Sequence, residues 1–236
     1  MAISLVGTPT GTGASAAVTS IACTVPTGAT TSTYLVWTVN GNNVTSPTAD
    51  PAGWTRLQFT SVSGENVATW GRFHDGSSTS YTSPTLTSAI TATSMVAFGG
   101  VDTTTPLDVA MPTGTTGTTA WTFPAITPVT TGAWVVAVGG PQLAAAVTTG
   151  TITSSNLSAV DVATWSTNAA SAVHVAACIG HLGTWASGAF TPAMASSAVT
   201  AHTIGQSLAL RPATTTTTAP RRPLIVQQAV QRAATF

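Results

Sequence analysis

The chain has 236 residues, of which 12 are charged: six Arg, no Lys, five Asp and one Glu. That is 5% charged residues at zero formal net charge, against roughly 25% in ordinary soluble domains. It excludes a chain kept disordered by its charge and argues against a general nucleic-acid binder or a membrane-spanning protein, because Thr (49 positions), Ser and Gly break up every apolar run before it reaches 18 residues.

The first residues, Met1-Ala2-Ile3-Ser4-Leu5-Val6-Gly7, lack the basic start and long apolar run of a signal peptide. Synthesis in a cytoplasm is expected, and the near absence of surface charge points to an assembled native state. Short runs of Val, Thr, Trp, Phe and Ile between Gly, Pro, Asn and Asp then predict strands near 2–7, 15–25, 32–39, 54–62, 66–73, 79–86 and 90–99. Further strands are expected near 119–123, 133–139, 150–153, 159–165, 171–181, 187–190 and 202–211. Alternation is clearest in Tyr34–Val39 and Val173–Ile179, and Asn40-Gly41 reads as a turn after the first.

The fold class expected is all-β: a two-sheet β-sandwich, jelly-roll or Ig-like, over residues 1–212. Asn66-Val67-Ala68-Thr69-Trp70 returns as Asp161-Val162-Ala163-Thr164-Trp165, which raises the reading of two related halves, 1–110 and 111–212, against coincidence in a Thr-rich chain. One sandwich is favoured over two packed subdomains. Residues 213–220 read as a Thr/Pro linker. Residues 221–236 read as an extended basic-apolar docking arm, the alternative being a frayed terminus. The arm's partner-binding candidates are Arg221, Arg222, Pro223, Leu224, Ile225, Val226, Arg232 and Phe236. Three Arg against six acids in the body, and three Arg with no acid in the tail, oppose about −3 to +3.

Chemistry is sparse. The six carboxylates, Asp50, Glu65, Asp75, Asp102, Asp108 and Asp161, offer no evident facing pair of the glycosidase kind, and most read as turn formers, including Gly64-Glu65-Asn66. Asp102 and Asp108 form a weak calcium signal beside the simpler reading of a loop closed by Asx hydrogen bonds. His74, His174, His181 and His202 show no metal-pair spacing, and His174 reads as a core or interface histidine. Cys23 and Cys178 read as two buried thiols, with a long-range disulfide as the alternative. No nucleophile elbow, phosphate loop or dinucleotide fingerprint is present. The reading is therefore non-enzymatic, with no cofactor and no metal. Most of the seven Trp read as core, with Trp121 and Trp185 the better candidates for a weak glycan contact.

Several of these segments, in order, resemble one family. They are Pro51-Ala52-Gly53-Trp54-Thr55-Arg56-Leu57, Val67-Ala68-Thr69-Trp70-Gly71-Arg72-Phe73, Tyr81-Thr82-Ser83, Val96–Asp102, Thr105-Pro106-Leu107-Asp108 and Leu208-Ala209-Leu210-Arg211-Pro212-Ala213. The chain is similar to β-sandwich virion structural proteins, minor tail or decoration proteins, of actinobacterial tailed phages and prophages. The resemblance covers about residues 30–213, and its motifs are structural, so it implies fold and class and transfers no catalytic residue. It implies a virion component assembled in the host cytoplasm. The expected function is a head decoration or minor capsid protein anchored by the arm; the alternative is a minor tail protein touching the host surface or a glycan. Expected partners are other virion proteins and copies of itself, a trimer being favoured, with no nucleic acid and no membrane.

Overall fold

The computed structural model describes residues 1–42, 46–87, 89–118, 120–143, 150–166, 173–198 and 200–214. These contain fifteen strands and no helix. In chain order they are Ser4–Leu5 (β1), Thr10–Gly13 (β2), Ala22–Thr24 (β3), Tyr34–Asn42 (β4), Thr55–Val62 (β5), Glu65–Phe73 (β6), Ser80–Thr82 (β7) and Thr91–Gly99 (β8). The second half carries Thr115–Gly117 (β9), Trp134–Leu143 (β10), Ile152–Ser154 (β11), Ala159–Trp165 (β12), Ala176–Leu182 (β13), Met194–Ser196 (β14) and Thr200–Leu210 (β15).

Two large antiparallel sheets face each other. The first has the order β1-β8-β4-β6-β5, with β2 also on β8; the second has the order β12-β13-β10-β15-β9. Each is drawn from one contiguous half of the chain, whereas Ig-like and jelly-roll sandwiches exchange strands between sheets. The two orders are the same when β5 is matched to β12, β6 to β13, β4 to β10 and β8 to β15. Details outside the strands agree. A turn from Thr30 to Thr33 leads into β4 and one from Thr130 to Ala133 leads into β10. The Thr33 carbonyl accepts from His74 N at 2.9 Å, as the Ala133 carbonyl does from Trp185 N at 2.8 Å. Cys23 pairs with Tyr81 and Ile126 with Phe190. The sequence match, four identities over five positions, does not follow this likeness: Asn66–Trp70 lies on the inner strand β6, but Asp161–Trp165 lies on the edge strand β12.

Side-chain alternation builds the layers. On β4, Tyr34 and Val36 point between the sheets and join Val96, Phe98, Val136, Val138, Ile179, Leu208 and Leu210 in the shared core. Leu35, Trp37 and Val39 point outward into a second core, capped by the β3–β7 ribbon. Ala137, Ala176 and Cys178 do the same on the far side under the β11–β14 ribbon. The order is ribbon, sheet, sheet, ribbon. Central strands are therefore buried on both faces, and β8 and β10 are buried along nearly their whole length.

Two local expectations are corrected. Asn40-Gly41 is not a turn; both residues lie inside β4, and Asn40 is fully buried. Glu65 is not a turn residue either. Ser63 (φ 43°) and Gly64 (φ 91°) form the two-residue hairpin turn, both in the left-handed region that a type I′ turn needs. Glu65 follows as the first residue of β6, with no exposed surface.

Away from the chain ends, the space between the sheets turns polar. Thr69 Oγ1 donates to Gln206 Oε1 at 2.7 Å, and Gln206 Nε2 donates to Thr60 Oγ1 at 3.0 Å. Ser94 Oγ donates to the Ala177 carbonyl at 2.8 Å. Asn40 Nδ2 donates to the Ala176 carbonyl at 2.7 Å and to Glu65 Oε1 at 3.0 Å. Gly140 makes this last contact possible, since a Cβ there would lie 1.8 Å from the Ala176 oxygen and 2.3 Å from Asn40 Nδ2.

Candidate interaction surface

The two ends of the described chain meet at the apolar end of the sandwich. The Met1 ammonium donates to the Ala213 carbonyl, and Ala213 N donates to Gly100 O at 2.8 Å. Val101 and Pro212 form a bridge beside them. Between this strap and the turn before β10 lies a groove of about 440 Å³, lined by Met1, Ile3, Thr131, Trp134, Pro212 and Thr214 among others. Thr214, the last described residue, is part of this lining.

Asp108 fixes the far wall. Its Oδ2 accepts from Val129 N at 2.6 Å and Thr130 N at 3.0 Å, and its Oδ1 accepts from Arg211 Nε at 3.3 Å. Burial alone would raise this carboxyl, but the bonds from Thr130, Val129 and Arg211 outweigh it and hold it below the usual range. The turn so held presents Val129, 70% exposed, beside the groove, and Met1 is 69% exposed. Besides these two, Leu5 is the one other large hydrophobic exposed among the described residues.

Asp102 sits one residue beyond the Val101–Pro212 bridge, its N–H donating to Arg211 O at 2.9 Å. Its Oδ1 accepts from Thr105 N at 2.8 Å and Thr104 N at 2.9 Å, and these bonds lower its pKa. The calcium signal of Asp102 and Asp108 therefore resolves into two separate structural duties. Among the described residues no group of three His, Cys, Asp or Glu could hold a metal ion.

The remaining candidates fall elsewhere. Arg221, Arg222, Pro223, Leu224, Ile225, Val226, Arg232 and Phe236 lie outside the described residues, as does most of the 213–220 linker. Trp185 is not a surface residue. It is 9% exposed, packs with Ile126, Val135 and Ala209, and spends its Nε1–H on Gly188 O. Trp121 lines an open cleft of about 450 Å³ with Ser196 and Ser197, although its Nε1–H already bonds to Ile204 O. Cys23 and Cys178 are free and buried, and burial pushes the first thiol up to about 11 and the second higher still. His174 is fully buried as expected, but neither ring nitrogen has a partner.

No family model, curated protein or solved structure matches the chain.

Three features escaped the sequence reading. The groove needs the N-terminus, the 128–132 turn and the 211–214 strap together, and these are far apart in the chain. His181 Nδ1 lies 2.8 Å from Asp161 Oδ1, and its ring stacks on Trp134 at 4.5 Å between centroids and 6° between planes. That pair arises because β12 and β13 are neighbours with a bulge between Val160 and Val162. Glu65 is the third; its being the chain's one Glu was visible, but its burial was not.

Proposed function

We propose that the chain is a non-enzymatic structural protein of a phage virion, most simply a head decoration or minor capsid protein whose C-terminal segment anchors the sandwich. The observation that carries this reading is the polarity of the body. Both described chain ends and the two most exposed large hydrophobics share one end of a charge-poor sandwich, and the three-Arg segment follows Thr214 in the sequence. A body attached at one end presents the rest of its surface outward, as a coat component does. The order of segments quoted above, similar to virion structural proteins, supports the same class.

A second reading, a minor tail protein that meets a host glycan, draws on Trp121. Its ring lines a cleft with hydroxyl side chains and no charged group, the composition that neutral sugars favour. Immunogold labelling of intact virions with antibody to the body separates the two. Gold over the head supports decoration, gold at the tail or its tip supports host contact, and its absence from both, with the epitope shown accessible, overturns the virion reading.

A further inference from the structure

We infer that the pocket at the end of the β3–β7 ribbon is a binding site for a neutral sugar, with His74 Nε2 accepting a hydrogen bond from a ligand hydroxyl. The site is separate from those described above: it shares no lining residue with the groove at the chain ends or with the Trp121 cleft.

Residues 24–29 leave β3, and residues 74–79 run from β6 to β7. The two stretches face each other across a pocket of about 410 Å³, within the usual size of small-molecule sites. His74 follows β6 directly. Its N–H donates to Thr33 O at 2.9 Å, and the residue is 6% exposed. Apart from this imidazole, no titratable side chain lines the pocket.

A relay of hydrogen bonds fixes what His74 offers. Asp75 Oδ1 accepts from Ser77 N at 2.9 Å and Ser78 N at 2.7 Å, and its Oδ2 accepts from Ser78 Oγ at 2.6 Å. The Tyr81 hydroxyl donates to the same Oδ2 at 2.9 Å. A phenol has one proton, so the Tyr81 oxygen faces His74 Nδ1, 3.2 Å away, as an acceptor. Nδ1 also lies 3.7 Å from Asp75 Oδ1, which favours a proton there. The neutral imidazole then carries its hydrogen on Nδ1 and a lone pair on Nε2. Nε2 has no hydrogen-bond partner among the described residues. Unlike the His174 nitrogens it is not sealed from solvent, and it opens on the pocket.

The second half of the chain shows that the fold does not require this relay. Trp185 stands where His74 does, its N–H on Ala133 O, and Phe190 stands where Tyr81 does. Trp185 spends its Nε1–H on Gly188 O, and both rings pack in an apolar cluster. The first half therefore keeps an oriented, accessible acceptor at a place that two apolar rings can close.

The lining sets the class of ligand. A lone pair calls for an O–H or N–H donor. An anion would meet that lone pair and find no cationic side chain in the lining, and a cation would find no carboxylate there. Asp75 lies outside the lining and is taken by Ser77, Ser78 and Tyr81. Thr24, Thr27 and Thr79 add hydroxyls that can donate or accept, between the small C–H surfaces of Pro26 and Ala29. Hydroxyls alternating with C–H surface complement a neutral sugar ring.

The test uses the full chain labelled with ¹⁵N-histidine, in mildly alkaline buffer, with the methyl glycosides of glucose, galactose, mannose and arabinose as probes. Long-range ¹H–¹⁵N correlation spectra of the free protein should show His74 as the Nδ1–H tautomer. At least one glycoside should move the His74 Nε2 resonance saturably. Affinity for that glycoside, read by saturation-transfer titration, should fall about tenfold in His74→Phe and in His74→Trp, which copies Trp185. Trp121→Ala should leave it unchanged. Circular dichroism and Tm confirm that the variants fold; where one does not, the Nε2 resonance of the wild type decides. An Nε2–H tautomer, no saturable shift with any of these glycosides, unchanged affinity in a folded position-74 variant, or loss of binding in a folded Trp121→Ala protein would each overturn the inference. None of these outcomes bears on virion attachment, which labelling of intact particles decides.

Discussion

Replacing Glu65 with Gln tests the packing between the sheets through the pH dependence of stability. The Glu65 carboxyl has no exposed surface; Oε1 accepts from Asn40, and Oε2 has no partner. Burial raises its pKa well above the ordinary 4.5, and the Asn40 bond offsets only part of this. The folded state thus holds a proton that the unfolded chain releases above about pH 4.5. Stability from this group is complete below that pH and is lost as pH rises towards the folded midpoint, at about 1.4 kcal/mol per pH unit. Glu65→Gln keeps the oxygen facing Asn40 and carries no charge at any pH. At pH 4 the two proteins should agree within about 1 kcal/mol. As pH rises the Gln protein should gain on the wild type, with a ceiling of about 3 kcal/mol at pH 7. At roughly 2–4 °C per kcal/mol for a chain of this size, that is several degrees in Tm. Urea or thermal denaturation of both proteins from pH 4 to 8 reads the difference directly. A difference between the proteins that stays constant with pH, or a Gln protein that is the less stable at pH 8, would refute the reasoning.

Other outcomes follow from the same packing. Gly140→Ala places a Cβ against the Ala176 oxygen and Asn40 and should cost about 3 kcal/mol in urea denaturation. Gly188→Ala, with nothing within 4 Å and only a φ of 82° to strain it, should cost about 1 kcal/mol. His174→Leu removes two unpartnered buried nitrogens and should raise stability by about 1 kcal/mol, read as an increase in Tm. Both thiols should resist Ellman's reagent in the native protein and react together on unfolding, because each is buried and its pKa is raised.

The all-β class was legible because turn residues punctuate β-branched and aromatic runs at short spacing. The edge strand β12 was read with its observed bounds, 159–165, and the boundaries of β5, β6 and β8 fall within one residue of expectation. Reading failed where tertiary context decides. The central strands β4 and β10 run on through Asn40-Gly41 and Gly139-Gly140, because a facing sheet rewards small and polar residues that sequence alone marks as breakers. Residues 119–123 and 187–190 hold aromatic residues yet form no strand among the described residues, Trp121 and Phe190 being anchors packed onto a sheet face. The likeness of the halves lies in strand order and turns, so a match of four residues in five pointed to the wrong pair of strands. The candidate surface was half legible. The tail's charge and apolar run are local in sequence, but the groove arises only when distant segments meet.

The central claim is that residues 215–236 attach the sandwich to the virion. Co-sedimentation with virions lacking the protein tests it most directly, comparing the full chain with residues 1–214 and using circular dichroism to confirm that the shorter chain keeps its β spectrum and Tm. The account predicts that the full chain pellets with the particles and that the folded 1–214 protein stays in the supernatant. Equal pelleting of the two would contradict it.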